Sequence, residues 1–209
     1  YLVLNATQTS SAGRGDSRSI AMTHVTRWVR LALMLAVLFA GAAATGVFAP
    51  NANQVAAADP ASCLDATEAQ FLKLINNYRA SKGLPALKAS KSLNVASYKH
   101  SYDMGKRGYF AHNTPSPLPA GQSGPLPWDR MKDAGYGYST SKAENIAAGQ
   151  STAEKVFNSW KNSAGHNANM LSTKFKVIGI GFAPVSGSKY GYYWTTKFGG
   201  YADGATTCS

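Results

Sequence analysis

The chain has 209 residues, enough for one domain and a leader, and its 44% hydrophobic and 15% charged content excludes a disordered chain. Its formal net charge is +11, and the 151 residues after position 58 keep 17 Lys and Arg against 9 Asp and Glu. That excess favours anionic partners such as cell-wall polymers or lipid head groups. The basic residues are mostly Lys, scattered singly without an Arg-rich run, which argues against nucleic acid as the partner.

Residues 1–21 are polar, begin without Met and precede a natural start at Met22. They read as a non-native or disordered N-terminal extension that carries no fold. Arg27 and Arg30 then precede an apolar run, Leu31 to Ala40, followed by small residues from Gly41 to Thr45. A basic start, a short apolar stretch and Ala-rich sites describe a secretory signal peptide. Cleavage is expected after Ala44 or Ala58, each of which ends an Ala-Ala-Ala run. The rival reading is an uncleaved membrane anchor over residues 31–49, since about nineteen residues just suffice to span a bilayer. Residues 22–58 are thus signal peptide and linker, and residues 59–209 form the domain of a secreted, extracellular protein.

Cys63 and Cys208 are the only cysteines, one near each edge of that domain. In an exported protein the pair suggests one disulfide rather than two free thiols. It would close a loop of about 146 residues, worth at most ~4–5 kcal/mol in the chain-entropy model.

The first helix is marked by Phe71, Leu74, Ile75 and Tyr78 at helical spacing. Thr67 and Gln70 form a capping-box pattern before them, and Gly83 and Pro85 stop the helix. A second helix is predicted from about Ser90 to Arg107, ended by Gly108, with Leu93, Ala96, Ser97, His100 and Met104 on one face. On that face His100 reads as a core histidine rather than a ligand. The Pro- and Gly-rich stretch between His112 and Trp128 is a long surface loop. A short helix follows at about 128–134. Ala143 to Gly149 reads as a short buried strand, and Ser151 with Glu154 opens a helix whose inner face is Ala153, Val156, Phe157 and Trp160. One more helical turn covers His166 to Leu171.

The period then changes from helical to alternating. Ile178, Ile180 and Phe182 alternate with Gly179 and Gly181, a strand with one bulky and one bare face that lets a helix approach closely. A turn at Ser186–Ser188 leads to a second, aromatic-rich strand from Tyr190 to Phe198. Helices first and a hairpin last imply an α+β fold, with a small antiparallel sheet between helices.

Five local patterns stand in order: KHSYDM leading into GYFAHNTP (residues 99–115), AENIAAG (143–149), SWKNSAGHNANML (159–171), VIGIGFA (177–183) and YYWTTKFG (192–199). Together they resemble the bacterial single-domain members of the CAP superfamily, which groups cysteine-rich secretory, antigen 5 and pathogenesis-related proteins. The resemblance implies an α-β-α sandwich with a central cleft lined by two histidines and two acids. His112 matches the first histidine, Glu144 the acid of the Glu-Asn pair, and His166 the histidine of the Gly-His pair. The second acid's position holds Ser163 instead, so mechanisms that need two carboxylates are placed in doubt.

Two neutral imidazoles converging on one point are good ligands for Zn²⁺ or another divalent ion. Glu144 is then a third ligand or fixes an imidazole tautomer from behind. Without metal, the same residues form a hydrogen-bonded cluster. Asn145 and Asn169 read as residues that satisfy nearby backbone groups, and Tyr192, Tyr193, Trp194 and Phe198 as core and cleft wall. Three functions follow as expectations: an extracellular binding module for a lipid, wall component or protein; a hydrolase using His112, Glu144 and His166 on a peptide or wall polymer; and a structural envelope factor. No organic cofactor is expected, and the protein should be a monomer.

Overall fold

The computed structural model describes residues 2–8 and 63–203. The expected signal peptide and linker, and Cys208, lie outside the described residues. In chain order the elements are β1 (Leu2–Gln8), α1 (Ala66–Ala80), β2 (Lys88–Ala89), α2 (Lys91–Arg107) and α3 (Pro127–Asp133). They continue with β3 (Lys142–Ala148), α4 (Ala153–Lys161), α5 (Ala164–Leu171), β4 (Val177–Pro184) and β5 (Tyr192–Gly199). The strands form one mixed sheet in the order β1-β3-β5-β4-β2, in which β2 pairs parallel to β4 and the other neighbours are antiparallel. This is the α+β sandwich expected from helices that precede a hairpin, but the sheet is mixed rather than antiparallel, because the two-residue β2 runs parallel to β4.

Side chains alternate across a strand, and this sequence uses the two faces differently. Ile178, Ile180 and Phe182 of β4 join Trp194 and Phe198 of β5 on one face. There they meet Phe71 and Ile75 of α1 and Val156, Phe157 and Trp160 of α4, all buried. The rings of Phe71 and Trp160 meet edge to face with centroids 5.3 Å apart, a favoured aromatic geometry.

The opposite face of β4 is bare because Gly179 and Gly181 stand there, and α2 lies directly on it. A Cβ at Gly179 would come within 2.1 Å of the Leu93 carbonyl carbon, and one at Gly181 within 2.2 Å of the Tyr98 nitrogen. The close approach lets Ser101 Oγ donate to the Gly181 carbonyl at 2.8 Å. It also places Asn94 Oδ1 3.1 Å from the Ile180 N–H, which donates to it.

Local details depart from the sequence reading in three places. The capping box of α1 is Asp65 with Glu68, not Thr67 with Gln70. Asp65 Oδ1 accepts from Glu68 N at 2.7 Å, and Glu68 Oε2 accepts from Asp65 N at 3.0 Å. The earlier pair fits because Glu68 also serves the sheet. Its Oε1 accepts from Phe182 N at 2.8 Å and so ties α1 to β4. Burial pushes the Glu68 carboxyl up to about 7. In α4 the cap is Thr152, whose hydroxyl accepts from Lys155 N at 3.3 Å, rather than a Ser151–Glu154 box. Finally, residues 1–21 do not all lack a fold: Leu2–Gln8 pair along the full length of β3 as an edge strand.

Candidate functional site: a buried carboxylate between cations

Strand β3 sends its consecutive residues Glu144 and Asn145 to opposite faces of the sheet. Glu144 faces the α2 side and is fully buried. Its Oε1 accepts from His112 Nδ1 at 2.8 Å. Arg130 Nη2 donates to Oε2 at 3.0 Å and to Oε1 at 3.3 Å, and Lys197 Nζ also donates to Oε2. Lys197 stands directly opposite Glu144 in the β3–β5 register, so the ladder itself sets this pair.

Arg130, on α3, is buried too, and its guanidinium organises the loop that carries His112. It donates to the His112 carbonyl at 2.7 Å, to Thr114 Oγ1 at 2.9 Å and to the Pro125 carbonyl at 3.1 Å. Thr114 N closes the same loop on the Pro125 carbonyl at 2.8 Å. The Pro-rich segment predicted as a surface loop therefore has an anchored base, and the anchor also neutralises Glu144.

Electrostatics follow from this crowding. Burial alone would raise the Glu144 carboxyl, but the charges of Lys197 and Arg130 beside it hold it well below the usual carboxylate range. Burial lowers the Lys197 ammonium to about 8, with Glu144 opposing the shift. An ionised carboxylate only accepts hydrogen bonds, so the Nδ1 of His112 carries the proton. Its Nε2 is buried and without a hydrogen-bond partner among the described residues. His100 is a core residue of α2, as its helical face indicated. It is 3.1 Å from the Ala111 carbonyl, and burial followed by the nearby Arg130 charge keeps its imidazole neutral.

On the other face, Asn145 Nδ2 donates to the His166 carbonyl at 3.3 Å, and Asn169 Nδ2 donates to Asn145 Oδ1 at 2.8 Å. These contacts tie α5 to β3. His166 itself is buried, stacks against Trp160 at 6.2 Å, and places Nδ1 2.7 Å from Ser163 Oγ. Ser163 thus takes up the imidazole nitrogen from the position where the resemblance leads one to expect an acid. The structure joins His112 to Glu144 directly and links His166 to the same strand through Asn145.

Sequence reasoning missed Arg130 and Lys197. A signal existed for Lys197, a lone charge inside the aromatic strand Tyr192–Gly199, on the same alternating face as the buried Tyr193 and Thr195. The donor set also bears on the expected divalent ion. Both Glu144 oxygens are engaged by His112, Arg130 and Lys197, so Glu144 fits the role of orienting His112 and not that of a metal ligand. No group of three or more His, Cys, Asp or Glu side chains is placed to hold a metal ion among the described residues.

The sequence profile of the cysteine-rich secretory protein family, CAP, matches residues 72–198. The chain belongs to this family. It is 36% identical over 137 residues to the Bacillus subtilis (strain 168) protein YkwD, described as uncharacterized, covering 66% of this chain and 48% of that protein. It is 28% identical over 115 residues to the uncharacterized membrane protein YlbC of the same organism, covering 55% of this chain and 31% of that one. The chain therefore spans about half the length, or less, of these curated relatives.

Solved structures agree on the fold. An extracellular protein of Bacillus anthracis containing an SCP domain superposes with a TM-score of 0.52 at 29% identity, over 62% of this chain and 39% of that one. An outer surface protein of Borrelia burgdorferi superposes with a TM-score of 0.55 at 19% identity, over 65% of this chain and 95% of that one, and supports the fold alone. Both neighbours are thus described as extracellular or outer-surface proteins. No helix among the described residues is long and apolar enough to cross a membrane.

Proposed function

We propose that this CAP domain is an exported binding module whose cleft, beside His112 and α5, takes a ligand without turning it over. The observation that carries the reading is the state of Glu144. A carboxylate that accepts from His112, Arg130 and Lys197, and that the two cations hold below the usual carboxylate range, is suited to orienting His112 rather than to passing a proton. With Ser163 in place of a second acid, no carboxylic acid in the cluster can protonate a leaving group.

The hydrolase reading retains one supporting observation, the unpartnered Nε2 of His112 on a ring whose Nδ1 is held by a carboxylate, an arrangement suited to a general base. Incubating the purified chain with isolated cell envelope separates the readings. Retention on the envelope without release of soluble fragments is expected. Fragment release that disappears in a folded His112→Gln variant would replace the binding reading with the hydrolytic one. Retention lost entirely at high salt would instead point to a structural envelope factor held by its basic surface.

Export, the signal peptide and the Cys63–Cys208 bridge belong to the same proposal. They are supported by the charge and apolar pattern of residues 27–45 and by the extracellular neighbours. Intact mass of the secreted product and non-reducing peptide mapping should give a chain starting after Ala44 or Ala58 and a single cross-linked peptide. A divalent ion, if taken, is held by imidazoles alone, with His112 oriented by Glu144. Zinc titration should then show weak binding at about pH 7.5 that is weaker still at about pH 5.5, where imidazoles of ordinary pKa are mostly protonated.

A further inference from the structure

Strand β3 is bonded to β5 on one side and to β1 on the other, and β1 is the sheet's terminal strand. The β1 pairing is continuous over seven residues, from Leu2 opposite Ala148 to Gln8 opposite Lys142. The strand that covers this edge precedes the domain by more than fifty residues in sequence. Between the two lies the expected signal peptide, so a domain exported with a start after Ala44 or Ala58 presents the edge of β3 without β1.

The line that β1 follows crosses the candidate site. Ala6 stands opposite Glu144, whose carboxylate holds His112, and Ala6 is half-buried there. The next residue, Thr7, points to the other face, where its hydroxyl donates to Asn169 Oδ1 at 3.2 Å. Asn169 is itself fixed by its bond to Asn145. An extended segment here is thus held by main-chain pairing to β3. It is read on one face beside the Glu144–His112 pair and on the other by an asparagine acceptor three residues beyond His166.

We propose that the outer edge of β3 is a strand-acceptor site for an extended peptide, and that Leu2–Gln8 shows, in the full chain, how such a peptide pairs. The site adds a strand antiparallel to β3. It prefers a small residue opposite Glu144, followed by a residue with a hydroxyl or other donor that reaches Asn169. In the exported domain the edge lacks β1, and an open row of N–H and C=O groups is a pairing template for an added strand. This rests on the binding-module reading and names the ligand class of its cleft.

The test uses the full chain. Of two neighbouring residues in a strand one points its N–H at the partner, so the double variant Leu4→Pro, Asn5→Pro removes at least one β1–β3 bond and weakens the resident strand. Hydrogen exchange at residues 142–148 should accelerate in this variant while β4 and β5 stay protected. A fluorescent peptide of the Leu2–Gln8 sequence should then bind saturably, at least ~10-fold more tightly than to the wild type. There the tethered strand competes at high effective concentration. The same peptide N-methylated at alternate residues on the bonded side should not bind, and a Thr7→Val peptide should bind several-fold more weakly.

Equal binding by the N-methylated peptide, tighter binding by the wild type than by the variant, or no binding with β3 amides exposed would each overturn the proposal. So would unaltered exchange in β3. Envelope retention that persists when the peptide fails removes the acceptor edge and leaves the binding module. Peptide binding without envelope retention does the reverse.

Discussion

The two faces of the sheet solve different problems with the same backbone. Toward α1, α4 and α5 the sheet shows Ile, Phe and Trp, and the layer is held by apolar burial and ring packing. Toward α2 and α3 it shows glycines in the middle of β4 and Lys197 and Glu144 on β5 and β3, so that a helix lies against bare backbone beside an ionic cluster, flanked by smaller apolar clusters around Met104, Ile146 and Tyr193 and around Leu93, Met131 and Val177. On the apolar face the cost of a substitution should scale with the volume removed. At the glycines and the ionic cluster of the other face it should scale with charge and with backbone clearance rather than with volume.

The largest expected effect breaks that scaling. Glu144→Gln is nearly isosteric, yet it leaves Lys197 and Arg130 buried without their counter-charge, and should cost about 3–5 kcal/mol in denaturant unfolding. Phe71→Ala on the apolar face should cost a similar ~3–5 kcal/mol, but through lost volume. A Glu144→Gln cost below that of a methylene deletion would remove the distinction. Next comes Gly181→Ala, where one methyl group meets the backbone of α2. It should destabilise by about 1–3 kcal/mol through overpacking, and crystallography should find α2 displaced. The smallest effects serve as controls: Ile180→Val should cost ~0.5–1.5 kcal/mol, and Ser163→Ala, which removes the hydroxyl 2.7 Å from His166 Nδ1, a similar ~0.5–1.5 kcal/mol.

The same contrast explains what was legible in the sequence. The helices, the β4–β5 hairpin and the bare face at Gly179 and Gly181 are local patterns of period and residue size, and they stand where the sequence places them. His100 could be assigned to the core because its own helix supplies the neighbours. The ionic cluster could not be read in this way, since Arg130 and Lys197 lie 14 and 53 positions from Glu144 and only the fold brings them together. Strand β1 was missed for the same reason. Its pairing partner is about 140 residues away in sequence, and nothing in Leu2–Gln8 alone specifies an edge. The cap of α1 shifted because Glu68 is chosen by β4 as well as by its own helix.

The acid response belongs to the charged face. The folded Glu144 carboxyl lies below its unfolded value of about 4.3, so its contribution to stability is fully present above that value. It is lost as pH falls through the folded pKa. The most direct measurement is a ¹³C NMR titration of the Glu144 carboxyl carbon in the folded protein, with Glu68 and Glu154 as internal comparisons. Glu144 should remain ionised well below about pH 4, with the domain unfolding in acid as that carboxylate finally takes its proton. A Glu144 resonance that titrates near or above ~4.3 with the fold intact would contradict the account, because the carboxylate would then be free to act as an acid and the cleft could no longer be read as a locked binding site.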